Sequence, residues 1–273
     1  MNPKPSESTI VVCGVARDVA LDLEDEIKRI SMALKDFKQV FFVVVESLSK
    51  DGTIAKLKKL SRSNPNFVYD SIQHSEKALF YRAERMAEAR NRALEIQRLR
   101  FPDAKYIFAV DLDGVNRDLT DRSVLSCFKH KTWDVMTCNQ PKGYYDILAL
   151  RHDYWNPHDW GQVYEELREY MPDQTARYLA VMSRSIKLPV GGALVPVKSA
   201  FGGGAIYKTS VLENLKYSGF DDLGQEVCEH VSLNLEITGK GGRIYINPDF
   251  VNVKHLGRSH SLKKKVLRNL GRL

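Results

Sequence analysis

Short apolar runs alternate with amphipathic segments over the first half of the chain, and this alternation limits the possible folds more than any other feature. The apolar runs are TIVVCGVARD, VFFVVVES, NFVYDSI and KYIFAVDLD (residues 9–18, 40–47, 66–72 and 105–113). The segments between them have helical spacing, and they are DLEDEIKRISMALKDF, TIAKLKKL and EKALFYRAERMAEARNRALEIQRL (residues 22–37, 53–60 and 76–99). Strands that are apolar throughout are typical of sheets covered on both faces. We therefore predict an α/β fold with a Rossmann-like, mostly parallel sheet flanked by helices.

The second half of the chain is less regular. It begins with two predicted strands (133–139 and 144–151) and a helix (158–171). A glycine loop then leads into a strand and a helix (199–212). A helix that stops at glycine (228–241) and a pair of strands (242–255) follow. No repeat and no Pro- and Ser-rich linker separates the two halves. We therefore expect one domain with a smaller subdomain in its second half.

The composition excludes several classes of protein. A chain of 273 residues can bury a sizeable core without disulfides or a structural metal. The four cysteines stand singly, and Cys13 and Cys138 lie in apolar runs, so we expect reduced, mostly buried thiols. The start MNPKPSESTI lacks the apolar stretch of a signal peptide, and no run of about 18 apolar residues follows. These features predict a cytoplasmic protein.

The net charge of +7, from 41 basic and 34 acidic residues, is concentrated at the C-terminus. The basic residues after position 253 are Lys254, Arg258, Lys263, Lys264, Lys265, Arg268 and Arg272, and no acidic residue accompanies them. Nucleic-acid-binding domains spread positive charge over a face of the body, so no nucleic-acid partner is expected. The apolar residues of SLKKKVLRNLGRL (residues 261–273) recur at helical spacing. Such a tail fits either peripheral binding to the cytoplasmic face of an anionic membrane or a helix packed on the domain.

The stretch FAVDLDGV (residues 108–115) ends an apolar run with two aspartates one residue apart. Residues two apart in an extended segment point to the same side, so Asp111 and Asp113 can converge. Their oxygens suit Mn²⁺ or Mg²⁺, with diphosphate oxygens completing the coordination shell. The structural alternative is two solvated aspartates in a turn. Ligands of parallel sheets bind beyond the carboxyl ends of the strands, so the turn after VVCGV would share this crevice.

Two aspartates one residue apart at the end of an apolar strand, a DxD motif, are found in two enzyme classes. These are phosphatases of the haloacid dehalogenase type and sugar transferases. The phosphatases have it on the first strand of their fold, and they have a later acidic pair at another strand end. Here three predicted strands and the helices between them, including a long one, precede Asp111, and the one DD pair, Asp221 and Asp222, follows KYSGF, which is no strand end. The sequence therefore favours a sugar transferase.

The third predicted helix carries an arginine on its apolar face. Met86 and Leu94 belong to this face, and the helical period places Arg90 between them. An inward guanidinium needs an anionic partner. A diphosphate would serve, with Asn91 hydrogen-bonding a ribose or sugar hydroxyl; an internal carboxylate such as that of Asp111 would serve equally.

Three later features add candidate ligands. Gly202, Gly203 and Gly204 precede an apolar run and would let the backbone approach a ligand closely, although their spacing matches no phosphate-loop motif and a bare loop is the alternative. Glu229 begins a predicted helix, where a carboxylate is stabilised by the helix dipole and can act as a general base, or has no chemical role. His255 follows the last predicted strand, where it is either a third metal ligand or an ordinary surface histidine.

In their order along the chain, the motifs VVCGVARD, RMAEARNRAL, FAVDLDGV, KGYYDILALRHDYW, SAFGGGAIY and CEHVSLN resemble those of GT-A glycosyltransferases. The combination is similar to the fungal capsule-associated α-1,3-mannosyltransferase family, and more distantly to the yeast mannan polymerase subunits, over roughly two-thirds of the chain. The ARN segment followed by a DxD strand is shared by many GT-A enzymes, whereas the YYD…RHD stretch is more specific. The fungal proteins are larger and membrane-anchored.

The resemblance implies a donor side for the site. Asp111 and Asp113 would bind the metal and the donor diphosphate. Arg90, with Arg17 and Asp18 of the VARD turn, would hold the nucleotide.

The resemblance also implies an acceptor side. Three residues of the YYD…RHD stretch would lie near the sugar or the acceptor, namely Asp146, Arg151 and Asp153. Gly203 and Gly204 would line the donor sugar, and Glu229 would face the acceptor.

We therefore predict a metal-dependent glycosyltransferase that moves a hexose, with mannose as the candidate, from a GDP- or UDP-sugar to a hydroxyl of a glycan or lipid-linked glycan. The expected division is a nucleotide-sugar-binding half (1–120), a metal- and acceptor-side half of the same GT-A domain (121–253) and the basic tail (254–273). One rival is a nucleotidyltransferase. Such enzymes usually carry a glycine-rich, basic signature after the first strand, whereas GVARDVALD has a single glycine. Another is a non-catalytic GT-A-like subunit that binds a partner glycosyltransferase.

Overall fold

The structure, a computed structural model, describes residues 2–72 and 81–254. In these residues the strands are β1 (Thr9–Ala16), β2 (Gln39–Ser47), β3 (Phe67–Ile72), β4 (Tyr106–Asp111), β5 (Val135–Asn139), β6 (Val195–Val197), β7 (Gly204–Lys208) and β8 (Ile244–Val251). The α-helices of the same part are α1 (Leu23–Ala33), α2 (Thr53–Ser63), α3 (Arg82–Arg100), α4 (Asp121–Ser126), α5 (Trp160–Leu167), α6 (Asp173–Ala180) and α7 (Glu229–Gly239).

The eight described strands form one sheet in the order β3-β2-β1-β4-β7-β5-β8-β6. Neighbouring pairs within β1 to β4 are parallel, and β5 is parallel to β8. β7 runs antiparallel to both β4 and β5, and β6 runs antiparallel to β8. The predicted mostly parallel sheet is therefore confirmed, and β7 joins the two halves of the chain within it.

The sheet is buried on both faces because its central strands are apolar at successive positions. On β1, Ile10 and Val12 belong to a core cluster shared with α1 and α2. Val11 and Cys13 point the other way, into a cluster that includes residues of α3 and α7. Alternate side chains of a strand leave opposite faces, so each helical layer receives half of every strand. All four cysteines are free thiols, and three of them are buried, as expected.

Two predicted elements are wrong. YYDILALR forms a turn and not a strand. The side chains of Ile147 and Leu150 are buried, and both of their carbonyls accept from Asn156 Nδ2. The turn at residues 147–149 interrupts the extended conformation that the residue types favour. The predicted strand pair at the C-terminal end of the domain is instead the one strand β8, which crosses Pro248 and pairs with both β5 and β6.

Some predictions fall on residues outside the described ranges. These are residues 76–80 of the third predicted helix and nearly all of the basic tail, so membrane binding by the tail stays a prediction. Most of the rest of that predicted helix is α3. Within the described ranges, no helix is long and apolar enough to cross a membrane. The predicted domain boundaries also stay a prediction.

The loop between β7 and α7 is held against α3, and this contact fixes the start of α7. Asn91 binds the backbone of Tyr217 in both directions, since its Nδ2 donates to the carbonyl (2.9 Å) and its Oδ1 accepts from the amide (2.8 Å). The Ala83 amide donates to Glu226 Oε1 at 2.9 Å. Gly219 lies so close to α3 that a Cβ there would come within 2.6 Å of the Ala83 carbonyl carbon.

We predict that Gly219→Ala destabilises the fold by about 2 kcal/mol, because the added methyl group must push the loop away from the α3 backbone. Gly239→Ala is the matched control, since nothing lies within 4 Å of a Cβ at that position. Urea unfolding of the two variants measures the difference. Equal unfolding midpoints would show that the loop moves without cost.

Candidate active site

The strand register places two predicted parts of the site at one edge of the sheet. They are the VARD turn after β1, with Arg17 and Asp18, and the DLD turn at the end of β4, residues 111–113. β1 and β4 are parallel neighbours, and Val15 pairs with Asp111. The VARD turn and the DLD turn therefore leave the sheet side by side, at the carboxyl ends where parallel sheets bind ligands. Leu112 is buried against Gly14, whereas Asp111 and Asp113 on either side of it are partly exposed. The sheet thus delivers both carboxylates to the same crevice.

Arg90 joins the DLD turn to α7. Its Nε donates to Glu229 Oε1 at 2.8 Å, and its Nη2 donates to Asp111 Oδ1 at 3.0 Å. Arg90 and Glu229 are both 4% exposed. Of the two partners that the sequence left open for Arg90, the structure therefore shows the internal carboxylates, and its contact with a diphosphate stays a prediction.

Aromatic rings enclose this ion pair. The guanidinium carbon of Arg90 lies 4.9 Å from the centroid of the Phe201 ring and 6.0 Å from that of Tyr217. Burial by itself lowers the pKa of Arg90, but the Glu229 and Asp111 carboxylates more than offset this and raise it. The guanidinium is therefore charged, and it compensates the buried Glu229 carboxylate.

His230, next to Glu229, is an uncharged part of the same cluster. Its ring stacks on Phe201 with centroids 3.6 Å apart, and it is 1% exposed. Burial, followed by the charge of Arg90, lowers the pKa of His230 well below its ordinary value. Neither ring nitrogen has a hydrogen-bond partner among the described residues. The 3.7 Å approach of Nε2 to Glu229 is therefore not an ion pair.

The glycine loop connects the DLD turn to the YYD segment. The Asp111 amide donates to the Gly203 carbonyl at 3.0 Å, and the Gly202 amide donates to Asp146 Oδ2 at 2.9 Å. Gly203 has a φ of +79°, and a Cβ there would lie 2.7 Å from Tyr145 Oη. Contacts within the protein thus require glycine at this position. Whether Gly203 and Gly204 also line a donor sugar stays a prediction.

Asp146, which accepts from the Gly202 amide, has a raised pKa. Burial, followed by the negative charges of Asp111 and Glu229, raises the pKa of Asp146 to about 6. The residue is nevertheless partly exposed. A partly exposed carboxyl with a pKa near neutrality is suited to accept a proton from a bound hydroxyl.

The other predicted donor ligands lie around this cluster. Asp18 has a φ of +52°; its amide donates to Ser49 Oγ, and its Oδ1 accepts from the Lys50 amide at 2.7 Å. It therefore ties the end of β1 to the turn after β2. Arg17 beside it is exposed, with Nε 4.0 Å from Asp18 Oδ2. Both polar atoms of the Asn91 side chain bind the backbone of Tyr217, which favours a positioning role for Asn91.

Three further predicted residues are less central. Arg151 is buried and paired with Asp159, so it holds its own segment together. Asp153 is exposed and paired with Lys198. His255 lies outside the described residues, so its role as a metal ligand stays a prediction.

Three residues near the site were missed from the sequence. Tyr145 contacts Gly203, as described above. Asn116 is fully buried below the DLD turn, and Glu26 of α1 is 1% exposed beside it. The pattern that identified Arg90, a charged residue at helical spacing on an apolar face, also applies to Glu26. Glu26 follows Leu23 by three residues and precedes Ile30 by four.

The residues at the crevice fit a divalent cation in their chemistry. Asp111 and Asp113 offer hard carboxylate oxygens, which Mn²⁺ and Mg²⁺ prefer. Across the described part of the chain, no three His, Cys, Asp or Glu side chains are grouped so that they could hold a metal by themselves. A cation held here by two carboxylates would therefore need further ligands, such as diphosphate oxygens or water.

Comparison with known proteins shows the fold class. No family model matches the sequence, and no curated protein matches it. The mannosyltransferase PcManGT from Pyrobaculum calidifontis, solved in complex with GDP-Man and Mn²⁺, has a TM-score of 0.55 at 16% identity, over 95% of this chain and 60% of that one. S. aureus TarS 1-349, solved in complex with UDP-GlcNAc, has a TM-score of 0.48 at 14% identity, over 96% and 65%.

The chain spans about three-fifths of the length of the mannosyltransferase. At this low identity the likeness concerns the fold, and the predicted GT-A fold is confirmed. The neighbour on which this rests is, by its name, a mannosyltransferase.

We predict that Arg90→Met lowers the free energy of unfolding by about 3 kcal/mol, because it leaves the Glu229 carboxylate buried without a compensating charge. Arg92→Met is the matched control two residues along the same helix. Arg92 is 41% exposed and pairs at the surface with Asp70 and Glu95, so we expect a loss below about 1 kcal/mol. Urea unfolding in EDTA measures both. Equal losses would show that the buried pair contributes no more than a surface pair.

We predict that Asp146→Asn is more stable than the wild type near neutral pH. The folded-state pKa of about 6 lies above the ordinary value of 3.8, so the wild type loses stability as pH rises from about 4 to about 7, by about 2 kcal/mol. Asparagine carries no such charge, and its Oδ1 can still accept from Gly202. The difference in unfolding free energy between variant and wild type, measured in EDTA, should therefore increase across this range.

The exposed Asp153→Asn is the control for that experiment, and its effect should stay within about 0.5 kcal/mol throughout. A constant difference for Asp146→Asn across the pH range would contradict the inferred pKa.

Proposed function

We propose that this chain is a metal-dependent glycosyltransferase that moves a hexose from a nucleotide diphosphate sugar to a hydroxyl of a glycan or lipid-linked glycan. One observation carries the proposal: Asp111 and Asp113 leave the carboxyl edge of a GT-A sheet, where the buried Arg90–Glu229 pair holds Asp111 and the adjoining glycine loop holds Asp146. Two carboxylates for a cation and a third carboxyl with a raised pKa provide groups for both the donor and the acceptor.

On the donor side, Asp111 and Asp113 would hold Mn²⁺ or Mg²⁺. When bound, the cation supplies positive charge that offsets the charge developing on the departing diphosphate. Arg17 is an exposed cation on the adjacent turn and would contact the nucleotide, with Asp18 fixing that turn. Arg90 keeps one oxygen of Asp111 oriented, so its part in binding the donor is exerted through that carboxylate.

On the acceptor side, the burial of Glu229 changes the assignment. Its Oε1 is held by Arg90, and the side chain is almost fully enclosed, so we assign it to positioning. Asp146 is the better candidate for the carboxylate that faces the acceptor hydroxyl, since it is partly exposed and its pKa is raised to about 6. In an inverting reaction it would act as the general base; a retaining reaction needs no such base.

Mannose from GDP-mannose is the donor we favour. The mannosyltransferase of the same fold was solved with GDP-Man and Mn²⁺. The motifs YYD…RHD and CEHVSLN, which resemble those of the fungal capsule-associated mannosyltransferases, support the same sugar. A location in the cytoplasm, at the inner face of a membrane when the tail binds lipid, would place the enzyme with its nucleotide-sugar donor.

The experiment that tests the proposal measures binding and hydrolysis of GDP-, UDP-, CMP- and dTDP-sugars, with Mn²⁺ and with EDTA. We expect metal-dependent release of one nucleotide from one sugar. Cleavage of a simple phosphate ester without binding of any donor would indicate a phosphatase instead. Inactivity in both assays would indicate the non-catalytic partner subunit.

We predict that Asp113→Ala abolishes metal-dependent donor hydrolysis, with a loss of at least about 100-fold, because it removes one of the two carboxylates that would hold the cation. Asp103→Ala is the matched control, since Asp103 is exposed just before β4 and Asp113 follows the other end of the same strand. The control should keep wild-type rates, and both variants should unfold at the wild-type temperature. Wild-type hydrolysis by Asp113→Ala would overturn the metal assignment.

A further inference from the structure

The first helix rests directly on the DLD turn. Asn116, two residues after Gly114, donates from Nδ2 to the Asp111 carbonyl at 2.8 Å and to Glu26 Oε2 of α1 at 2.5 Å. One amide group therefore links α1 to the backbone of the first aspartate. A Cβ at Gly114 would lie 3.3 Å from Asp22 Oδ1, so the start of α1 also contacts the residue after the second aspartate.

The second oxygen of Glu26 fixes the direction of this link. Glu26 Oε1 accepts from Arg29 Nη1 at 3.2 Å, one helical turn along α1. The carboxyl is therefore held at both oxygens, one toward its own helix and the other toward Asn116. Since Asn116 is fully buried, its side chain has little room to take another orientation.

This arrangement is unfavourable as packing alone. Glu26 occupies a position on the apolar face of α1 that Leu23, Ile27 and Ile30 share, and it is 1% exposed. Burial raises the pKa of Glu26 to about 7, and the negative charge of Asp113 adds to the increase. An apolar residue of the same size would fill this position without that penalty. The carboxyl is therefore better explained by what it holds than by its contribution to stability.

We infer that Glu26 is a positioning residue which, through Asn116, holds the turn of Asp111 and Asp113 in the geometry needed to bind a divalent cation. The inference deepens the proposed function and rests on it for the identity of the ligand. Groups behind metal ligands typically change metal affinity by 10- to 100-fold when they are removed.

The experiment titrates Mn²⁺ into the full chain in the presence of GDP, and separately of UDP, with free Mn²⁺ followed by electron paramagnetic resonance. Glu26→Met keeps the size of the side chain and removes the acceptor, so we expect the Kd for Mn²⁺ to rise about tenfold. Glu26→Gln keeps an acceptor for Asn116 and should stay within about twofold of the wild type. Glu24→Met is the control on the same helix, where Glu24 pairs with Lys56 and Lys59 at the surface.

Two readouts separate positioning from a general structural role. Glu26→Met should have a melting temperature no lower than that of Glu24→Met, although it binds Mn²⁺ more weakly. In metal-free protein, amide hydrogen exchange of residues 111–116 should become faster in Glu26→Met while that of β1 and β2 is unchanged. Should Glu26→Met not fold, Glu26→Asp replaces it, since its shortened carboxyl no longer reaches Asn116.

The outcomes keep the two proposals apart. Unchanged Mn²⁺ affinity and unchanged exchange in Glu26→Met would overturn the inference even if the wild type binds Mn²⁺ well. A wild type that binds no Mn²⁺ with either nucleotide would overturn the proposed function; faster exchange of residues 111–116 would then still support the link from Glu26, and unchanged exchange would overturn it too.

Discussion

The buried guanidinium of Arg90 is the interaction on which the rest of the site depends. It is the contact through which α3 reaches both the end of β4, at Asp111, and the start of α7, at Glu229. A charge that is almost completely enclosed tolerates little change in the position of its partners, because each lost contact leaves an uncompensated ion in the interior. The positions of the two carboxylates are therefore fixed by one side chain from a third element.

The surroundings of Arg90 are consistent with this requirement. Phe201 lies over the guanidinium and is covered in turn by His230, whose ring stays neutral beside the cation. Phe201 also leads into the glycine loop, where Gly202 and Gly203 bind Asp146 and Asp111. The aromatic stack and the loop thus extend the geometry set by the ion pair to the partly exposed side of the crevice.

The sequence was sufficient where the pattern is local and repeated. The alternation of apolar strands with helices predicted the parallel sheet, and the position of Arg90 on an apolar face predicted a buried cation with an anionic partner. It was insufficient where contacts between distant segments decide the structure. Asn91 has the type of side chain that binds a sugar, yet the backbone of Tyr217 occupies it, and the YYD segment has strand-forming residues that are buried from a turn. Glu26 had a readable signal, but its partner Asn116 is 90 residues away.

The distribution of charge within the crevice connects these observations to chemistry. Asp111 and Glu229 share the buried guanidinium of Arg90, Asp146 is held by the Gly202 amide of the adjoining loop, and Glu26 lies behind the turn through Asn116. After burial itself, the charge of a neighbouring aspartate adds to the raised pKa of both Glu26 and Asp146. Among the described residues, the fold thus gathers carboxyls at the crevice around one buried guanidinium, and hard oxygens of this kind are the chemistry on which the proposed divalent cation rests.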